Sequence, residues 1–182
     1  MSAPKEIERC AIETLGDAGV EEGYTVLDCC CGCGTYTAPA AKLVGKEGFV
    51  YAVDINRNKL DDLKSHLKSN SLSNVSLIRH DVTHKIPLPN YTVDITLLFD
   101  IFWYFRPYEA SLLKLIEEVQ RIVKPAGLVS VIPKHINEEQ LQYFKTEMRN
   151  FGFAIIEEIQ RNLVHDDAIE QGELLNFQKP YS

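Results

Sequence analysis

One stretch near the start of the chain constrains the fold more than any other. Residues 26–35 read VLDCCCGCGT, in which an apolar run of strand length leads into a turn that carries Gly32 and Gly34. A helical pattern follows the turn, and a second apolar run ends at Asp54. Gly34 and Asp54 are 20 positions apart, and a ligand-binding glycine turn lies roughly 20 residues before its acidic partner in many β-α-β units. The stretch therefore predicts two parallel strands joined by a helix, with a ligand at the turn.

Apolar runs of strand length alternate with helical patterns along the whole sequence. These patterns predict helices over residues 5–18, 37–44, 57–69, 108–123 and 138–150, and strands over 25–30, 48–54, 75–79, 93–99, 128–132, 153–159 and 173–178. Continuous apolar strands separated by helices favour a parallel sheet covered on both faces. Between the last two strands we predict only a polar loop, which contains His165, Asp166 and Asp167. The fold class is therefore α/β, a mostly parallel sheet with an antiparallel last strand.

Composition and charge restrict the partners and the compartment. The chain has 182 residues and a net charge of −7, with no local run of Lys and Arg, so we expect no nucleic acid partner. The first residues lack the apolar segment of a signal peptide. The apolar run over 95–105 is shorter than the roughly 20 residues of a membrane helix. We therefore expect a soluble, cytoplasmic protein with no membrane partner.

The cysteines cluster in the turn. Four of the five lie between residues 29 and 33, which does not suit a disulfide framework. Cys30 and Cys33 have the C-x-x-C spacing of a zinc site, but only Cys10 remains elsewhere to complete it. A redox role is a second alternative, since a thiol at a helix N-terminus becomes more acidic. We favour reduced thiols that pack around the turn and predict no metal site, with Cys31 or Cys33 easily alkylated unless a ligand is bound.

The turn and the two strands resemble the class I S-adenosylmethionine-dependent methyltransferases. The first motif of that family, D-x-G-x-G-x-G, is similar to residues 28–34, where Cys30 replaces the first glycine. Asp54 is similar to the acidic residue that ends the second strand in the family. The third motif is similar to residues 80–82, which read HDV.

The resemblance continues through the second half of the chain. Residues 93–100 (VDITLLFD) are similar to the fourth motif, and residues 121–128 (RIVKPAGL) to the approach to the fifth strand, with Ala126 where glycine is commonest. The two closing strands match the hairpin that separates this family from nicotinamide-binding Rossmann proteins. The motifs stand in the family's order.

This resemblance implies a Rossmann-like, seven-stranded fold and the cofactor S-adenosylmethionine, with S-adenosylhomocysteine as product. It implies a single domain over residues 1–182, with an N-terminal helix within 1–20 and a closing hairpin within 153–179. The implied cofactor-binding residues are Asp28, Cys30, Gly32, Gly34, Asp54, Ile55, Asp81, Val82 and Asp100. In the family the counterpart of Asp54 binds the ribose hydroxyls, that of Asp81 the adenine amino group, and that of Asp28 lies near the methionine part. Alternatively, Asp28 fixes the loop and Asp54 caps the next helix.

The residues beyond the fourth and fifth strands are expected to meet the methyl acceptor. Asp100, Tyr104 and His135 are the candidate catalytic residues, and Trp103 and Phe105 would add an aromatic wall. His165 is a further candidate base, and Tyr36 would gate the site or pack on the methionine chain. Alternatively, the aromatic residues simply cover the sheet end and both histidines are solvated.

These expectations favour an enzyme that methylates a small molecule. A protein or peptide methyltransferase is one alternative. A non-catalytic, cofactor-binding partner subunit is another, since no catalytic base stands out. A short chain of this type often needs residues from a second chain to complete its substrate pocket, which a homodimer or a partner subunit would supply. A nicotinamide-dependent dehydrogenase is disfavoured because the turn reads G-x-G followed by Thr35-Tyr36-Thr37, not G-x-G-x-x-G.

Overall fold

The computed structural model of the chain describes residues 3–181. The α-helices in this part are α1 (Ala3–Asp17), α2 (Thr37–Leu43), α3 (Arg57–Ser69), α4 (Ala110–Ile122) and α5 (Glu138–Asn150), and a short 3₁₀ turn covers Ile101–Trp103. The strands are β1 (Thr25–Cys29), β2 (Phe49–Asp54), β3 (Val75–Arg79), β4 (Val93–Phe99), β5 (Val123–Ile132), β6 (Ala154–His165) and β7 (Ala168–Gln178).

The seven strands form one sheet in the order β3-β2-β1-β4-β5-β7-β6. Strands β1 to β5 pair in parallel, while β7 is antiparallel to both β5 and β6. The predicted α/β class, the mostly parallel sheet and the antiparallel last strand are therefore confirmed.

Helices cover both faces of the sheet because neighbouring residues of a strand point to opposite faces. In β1, Val26 belongs to the apolar cluster that includes Leu15 of α1, whereas Leu27 belongs to the cluster that includes Leu115 of α4. All four of these side chains are fully buried. Val26 and Leu27 face opposite layers of helices. The result is a three-layer arrangement with the sheet in the middle.

The closing hairpin is longer than the sequence indicated. Residues 160–165 and 168–172, predicted to be loop, are strand, and β6 and β7 pair from Ala154 with Gln178 to His165 with Ala168. Asp166 and Asp167 form the two-residue connection with φ values of 46° and 60°. Positive φ at both central residues is the geometry that matches the twist of a hairpin. The prediction of a loop was wrong because the polar residues of this segment face solvent in an edge hairpin.

Two other boundaries differ by a few residues. Helix α4 begins at Ala110, two residues later than predicted, and β5 begins at Val123 instead of residue 128. The ladder between β4 and β5 shifts register after Val93 pairs with Val123, and it resumes at Ile95 with Leu128. The intervening KPAG segment is a bulge in which Ala126 has a φ of 62°.

Among the helices of residues 3–181, none has the length and apolar character needed to cross a membrane.

Candidate cofactor and acceptor site

A cavity of about 380 Å³ lies at the carboxyl ends of the parallel strands. Strand β1 pairs with β2 on one side and β4 on the other, so the chain leaves the middle of the sheet in both directions at this point. Such a reversal of strand order opens a crevice in doubly wound sheets. One end of the cavity is lined by Gly32 and Asp54, and the other by Asp100, His135 and His165.

The turn after β1 has a left-handed backbone at three positions. Cys30, Gly32 and Gly34 have φ values of 63°, 56° and 91°. Cys30, which stands where the family has glycine, therefore adopts a conformation that is costly for a residue with a Cβ. At Gly34 an added Cβ would come within 2.3 Å of Leu63 Cδ1 in α3. Glycine is thus required at this position for packing on α3, and Gly34 is not part of the cavity wall.

Asp54 ties the turn to the end of β2. Its Oδ2 accepts the Gly32 N–H at 2.8 Å, and its Oδ1 accepts the Asn56 N–H at 2.7 Å. The helix cap is Asn56, whose side chain accepts from the N–H groups of residues 58 and 59. The alternative interpretation of Asp54 as the cap of α3 is therefore wrong. The carboxylate is 8% exposed and lines the cavity, with lone pairs left for further donors.

Asp28 is buried at the end of β1, 4% exposed, and also lines the cavity. The Thr37 hydroxyl donates to its Oδ2 at 2.5 Å. Burial raises the pKa of the Asp28 carboxyl to about 6, the Thr37 hydrogen bond lowers it, and the nearby charge of Asp54 raises it. Asp28 therefore bonds a side-chain hydroxyl of α2 and not the backbone amides that the loop-fixing alternative requires.

The thiols of the turn differ in exposure. Cys29 is buried and Cys33 is exposed, while Cys31 is half-buried and donates to the Gly32 carbonyl. Burial raises the pKa of the Cys31 thiol strongly, and the charges of Asp28 and Asp54 add to this effect. This direction is opposite to the one that a redox thiol requires. Of the two thiols predicted to be easily alkylated, only Cys33 has the required exposure.

The far end of the cavity brings together side chains from three strands. Asp100 follows β4, His135 follows β5, and His165 ends β6. Nε2 of His165 lies 3.1 Å from Nε2 of His135, and Nδ1 of His165 lies 3.8 Å from Oδ2 of Asp100. Burial raises the pKa of Asp100, while the two histidines and Lys134 lower it.

Aromatic side chains stand beside this group. Trp103 and Tyr104 are 68% and 59% exposed and line the cavity, and the Trp103 ring meets the His135 ring edge-on at 4.7 Å. Phe105, by contrast, is buried in the core beneath. Trp103 and Tyr104 therefore line the cavity, whereas Phe105 packs in the hydrophobic core.

Tyr36 is a fixed part of the site. Its hydroxyl donates to the Val164 carbonyl at 3.1 Å and accepts the Val164 N–H at 3.0 Å, and its ring packs edge-on against Phe99 at 4.7 Å. Both hydrogen-bonding directions of the hydroxyl are used, and burial raises its pKa. The prediction of a gate is not supported by this arrangement, which anchors the hairpin next to His165.

Besides Gly34, three predicted cofactor residues lie away from the cavity wall. Ile55 is 60% exposed and Val82 is buried. Asp81 accepts from the N–H and the hydroxyl of Thr83 at 3.0 Å and 2.7 Å, and these bonds lower its pKa. Their contact with a cofactor stays a prediction. His165 was the residue that sequence reasoning placed least well, because its position depends on the length of the hairpin.

Known proteins share this sequence pattern. A family profile described as "Methyltransferase domain" matches residues 26–127. The demethylmenaquinone methyltransferase of Geobacillus sp. (strain WCH70) is 33% identical over 137 residues, which are 72% of this chain and 56% of that protein. The chain spans between 53% and 60% of the length of the first curated relatives that it matches.

Solved structures share the fold. An S-adenosylmethionine-dependent methyltransferase from Aquifex aeolicus has a TM-score of 0.75 at 24% identity, over 92% of this chain and 88% of that one. The [4+2]-cyclase SpnF has a TM-score of 0.73 at 15% identity, over 96% of this chain and 82% of that one. At these identities the likeness shows the fold alone, and the two structures are named for different reactions, methyl transfer and [4+2] cyclisation. The profile, however, matches more than half of the chain. The chain therefore belongs to the class I S-adenosylmethionine-dependent methyltransferase family, whose cofactor is S-adenosylmethionine.

Proposed function

We propose that this protein transfers a methyl group from S-adenosylmethionine to a small-molecule acceptor bound at the Asp100 end of the cavity. The observation that carries the proposal is the continuity of one cavity between the turn at Gly32 and the Asp100, His135 and His165 group. Its volume of about 380 Å³ falls in the range of roughly 300–1,000 Å³ that is typical of small-ligand sites.

The residues at the Asp54 end fit the cofactor. A buried carboxylate with free lone pairs suits a pair of ribose hydroxyls, and the backbone at Gly32 has no side chain to keep a ligand away. When bound, S-adenosylmethionine supplies a methyl group already activated on a sulfonium. Asp28, Cys30 and Asp54 would hold and orient it.

The charge of the cavity also suits a cationic cofactor. Five carboxylates line it, those of Asp28, Asp54, Asp100, Asp166 and Asp167, against the single ammonium group of Lys59. A negative wall attracts a sulfonium and an ammonium group and repels anions. We therefore propose an acceptor that is neutral or cationic, and no nucleic acid.

The acceptor end offers aromatic rings next to polar groups. Trp103 and Tyr104 would pack on a flat or apolar acceptor and exclude water, which strengthens electrostatic interactions inside the site. His135 and His165 would orient its polar atom. A relative's name points the same way, since demethylmenaquinone is a small molecule. The small-molecule acceptor is therefore preferred to a protein or peptide side chain.

The proposal is tested by turnover of the full chain with methyl-labelled S-adenosylmethionine. The acceptors are a panel of naphthoquinols, phenols, thiols and amines, next to a mixture of unstructured peptides. We expect label in an organic-extractable product, reduced at least tenfold in Asp54→Asn but not in Asp62→Asn, whose side chain is exposed on α3. Label found in peptides alone, or cofactor binding without transfer to any acceptor, would contradict the proposal in favour of a peptide methyltransferase or a non-catalytic subunit.

A further inference from the structure

Asp100, His135 and His165 form a side-chain group with metal-ligand chemistry. Each offers one ligand atom, and these atoms all lie within 4.8 Å of one another. The three residues are at the ends of β4, β5 and β6, far apart in sequence. No short sequence motif contains all three residues, which is why the sequence indicated no metal site.

The distance between the Nε2 atoms of His135 and His165 fits two ligands of one metal ion. Zinc–nitrogen bonds of about 2.0–2.1 Å place two ligand nitrogens about 2.9 Å apart at a right angle and about 3.4 Å apart at the tetrahedral angle. The observed separation of the Nε2 atoms of His135 and His165 is 3.1 Å. One carboxylate oxygen of Asp100 lies within 4.8 Å of a ring nitrogen of each histidine, so the third ligand comes from the same cluster.

Two buried polar atoms in this group lack a partner. Among residues 3–181, three buried side-chain nitrogen or oxygen atoms have no hydrogen-bond partner, and two of them are Asp100 Oδ1 and His165 Nδ1. Leaving such an atom unpaired costs about 1–3 kcal/mol. A hydrogen bond between the two rings would pair only their Nε2 atoms and would leave Asp100 Oδ1 unsatisfied, whereas Nδ1 of His165 stays unpaired in either arrangement. A cation bound to the Asp100 carboxylate compensates that carboxylate directly.

A proton relay from His135 through His165 to Asp100 fits the geometry less well. Nδ1 of His165 lies 3.8 Å from Oδ2 of Asp100 and 3.7 Å from Oδ2 of Asp166, beyond the distance at which a carboxylate orients an imidazole. The nearby Lys134 does not replace a cation, because its ammonium pairs with Glu170 at 2.7 Å.

We propose that Asp100, His135 and His165 bind one divalent transition-metal ion, with Zn²⁺ the best match to two imidazoles and a carboxylate. Three protein ligands leave a coordination position open, and all three residues line the cavity, so that position faces the acceptor. Resting on the proposed function, the ion acts as a Lewis acid that lowers the pKa of an acceptor hydroxyl, whose proton passes to water. The same activation applies to a thiol, so the site specifies an acceptor with an ionisable hydroxyl or thiol.

The test uses Co²⁺ as a spectroscopic probe on the full chain after removal of metals with a chelator. We expect one Co²⁺ per chain, with visible absorption bands of nitrogen and oxygen ligands and no intense thiolate-to-cobalt band. His135→Ala, His165→Ala and Asp100→Asn should each weaken binding by at least about 100-fold, since even outer partners of a metal ligand are worth 10–100-fold. His66→Ala and His84→Ala, two exposed histidines elsewhere, should bind as the parent does.

Three results would overturn the metal site. They are an absence of Co²⁺ binding, binding that persists in both His135→Ala and His165→Ala, and a thiolate band that assigns the ion to the cysteine turn. Circular dichroism of each variant separates lost ligands from lost fold. Because Co²⁺ is titrated without cofactor or acceptor, failure of the metal site and failure of methyl transfer are separate results.

Discussion

Asp28 is the residue whose burial has the clearest energetic consequence. Its folded-state pKa of about 6 lies above the usual 3.8, chiefly because burial disfavours the charged form. Below about pH 3, well under both pKa values, the carboxyl is protonated in both states and carries no penalty. As the pH rises towards the folded-state pKa, the unfolded chain releases the proton first and stability falls. A difference of about two pKa units corresponds to roughly 3 kcal/mol lost by pH 7.

Asp28→Asn should remove this loss. The amide has the same shape and can still accept the Thr37 hydroxyl bond, so the variant should be more stable than the parent at pH 7.5 by up to about 3 kcal/mol. The gain should shrink to near zero by about pH 3. Urea unfolding between about pH 3 and pH 8 measures both curves, with the exposed Asp62→Asn as control. Parallel pH profiles for parent and Asp28→Asn would contradict the burial argument.

Cys33 should be the first thiol to react with iodoacetamide. It is exposed and lines the cavity next to the turn, whereas Cys10 and Cys29 are buried. Bound S-adenosylmethionine should slow its modification several-fold, while the slow labelling of Cys10 stays unchanged. Peptide mapping by mass spectrometry after timed labelling gives both rates. Labelling of Cys33 that ignores the cofactor would place the cofactor away from this turn.

Sequence reasoning at the residue scale succeeded where the chain itself supplies the partner. Asp54 and Gly32 lie at the turn as the spacing predicts, because one β-α-β unit brings both together. Gly34 shows the opposite case, since a Cβ added to its left-handed backbone would also clash with Leu63 of α3. That contact depends on how a helix packs on the turn, which no local pattern contains.

At the scale of elements, the closing hairpin contributes most to the far end of the cavity. Its arms reach beyond the parallel strands and present His165 to Asp100 and His135. The sequence pattern did not predict the full length of β6 and β7, because their outer parts are rich in polar residues. The turn between them, Asp166-Asp167, also contains no glycine. The inner parts, residues 154–159 and 173–178, were found from their apolar runs, whereas buried Leu163 and Val164 lie in the part of β6 that was missed.

Tyr36→Phe should loosen this hairpin. The change removes both hydrogen bonds to the Val164 backbone and leaves a buried N–H and carbonyl unpaired, a loss of about 1–3 kcal/mol. Hydrogen exchange should be faster at the Val164 amide, and urea unfolding should show the lower stability. Tyr181→Phe, at an 82% exposed residue, is the control and should change neither. Unchanged exchange at Val164 would show that other contacts hold the hairpin.

At the scale of the whole molecule, the alternation of strands and helices was sufficient to predict the sheet. The order β3-β2-β1-β4-β5-β7-β6 places the glycine turn, Asp54 and Asp100 around one crevice. The proximity of Asp100, His135 and His165 could not be predicted from the sequence, because each residue lies at the end of a different strand. The distances between their side chains depend on how those strands pack in the folded chain. The Gly32–Asp54 end of the cavity is thus encoded locally, and the end with Asp100, His135 and His165 is encoded by the fold.

Binding of S-adenosylmethionine and S-adenosylhomocysteine by isothermal titration calorimetry tests the central claim most directly. We predict micromolar binding of both to the full chain and none of NAD. Asp54→Ala should weaken binding by at least about tenfold, the value of a charge-assisted hydrogen bond of roughly 1.5–3 kcal/mol. Asp62→Ala, on the exposed face of α3, should bind like the parent. No binding of either compound by the parent chain, or equal binding by Asp54→Ala, would contradict a cofactor site between Gly32 and Asp54.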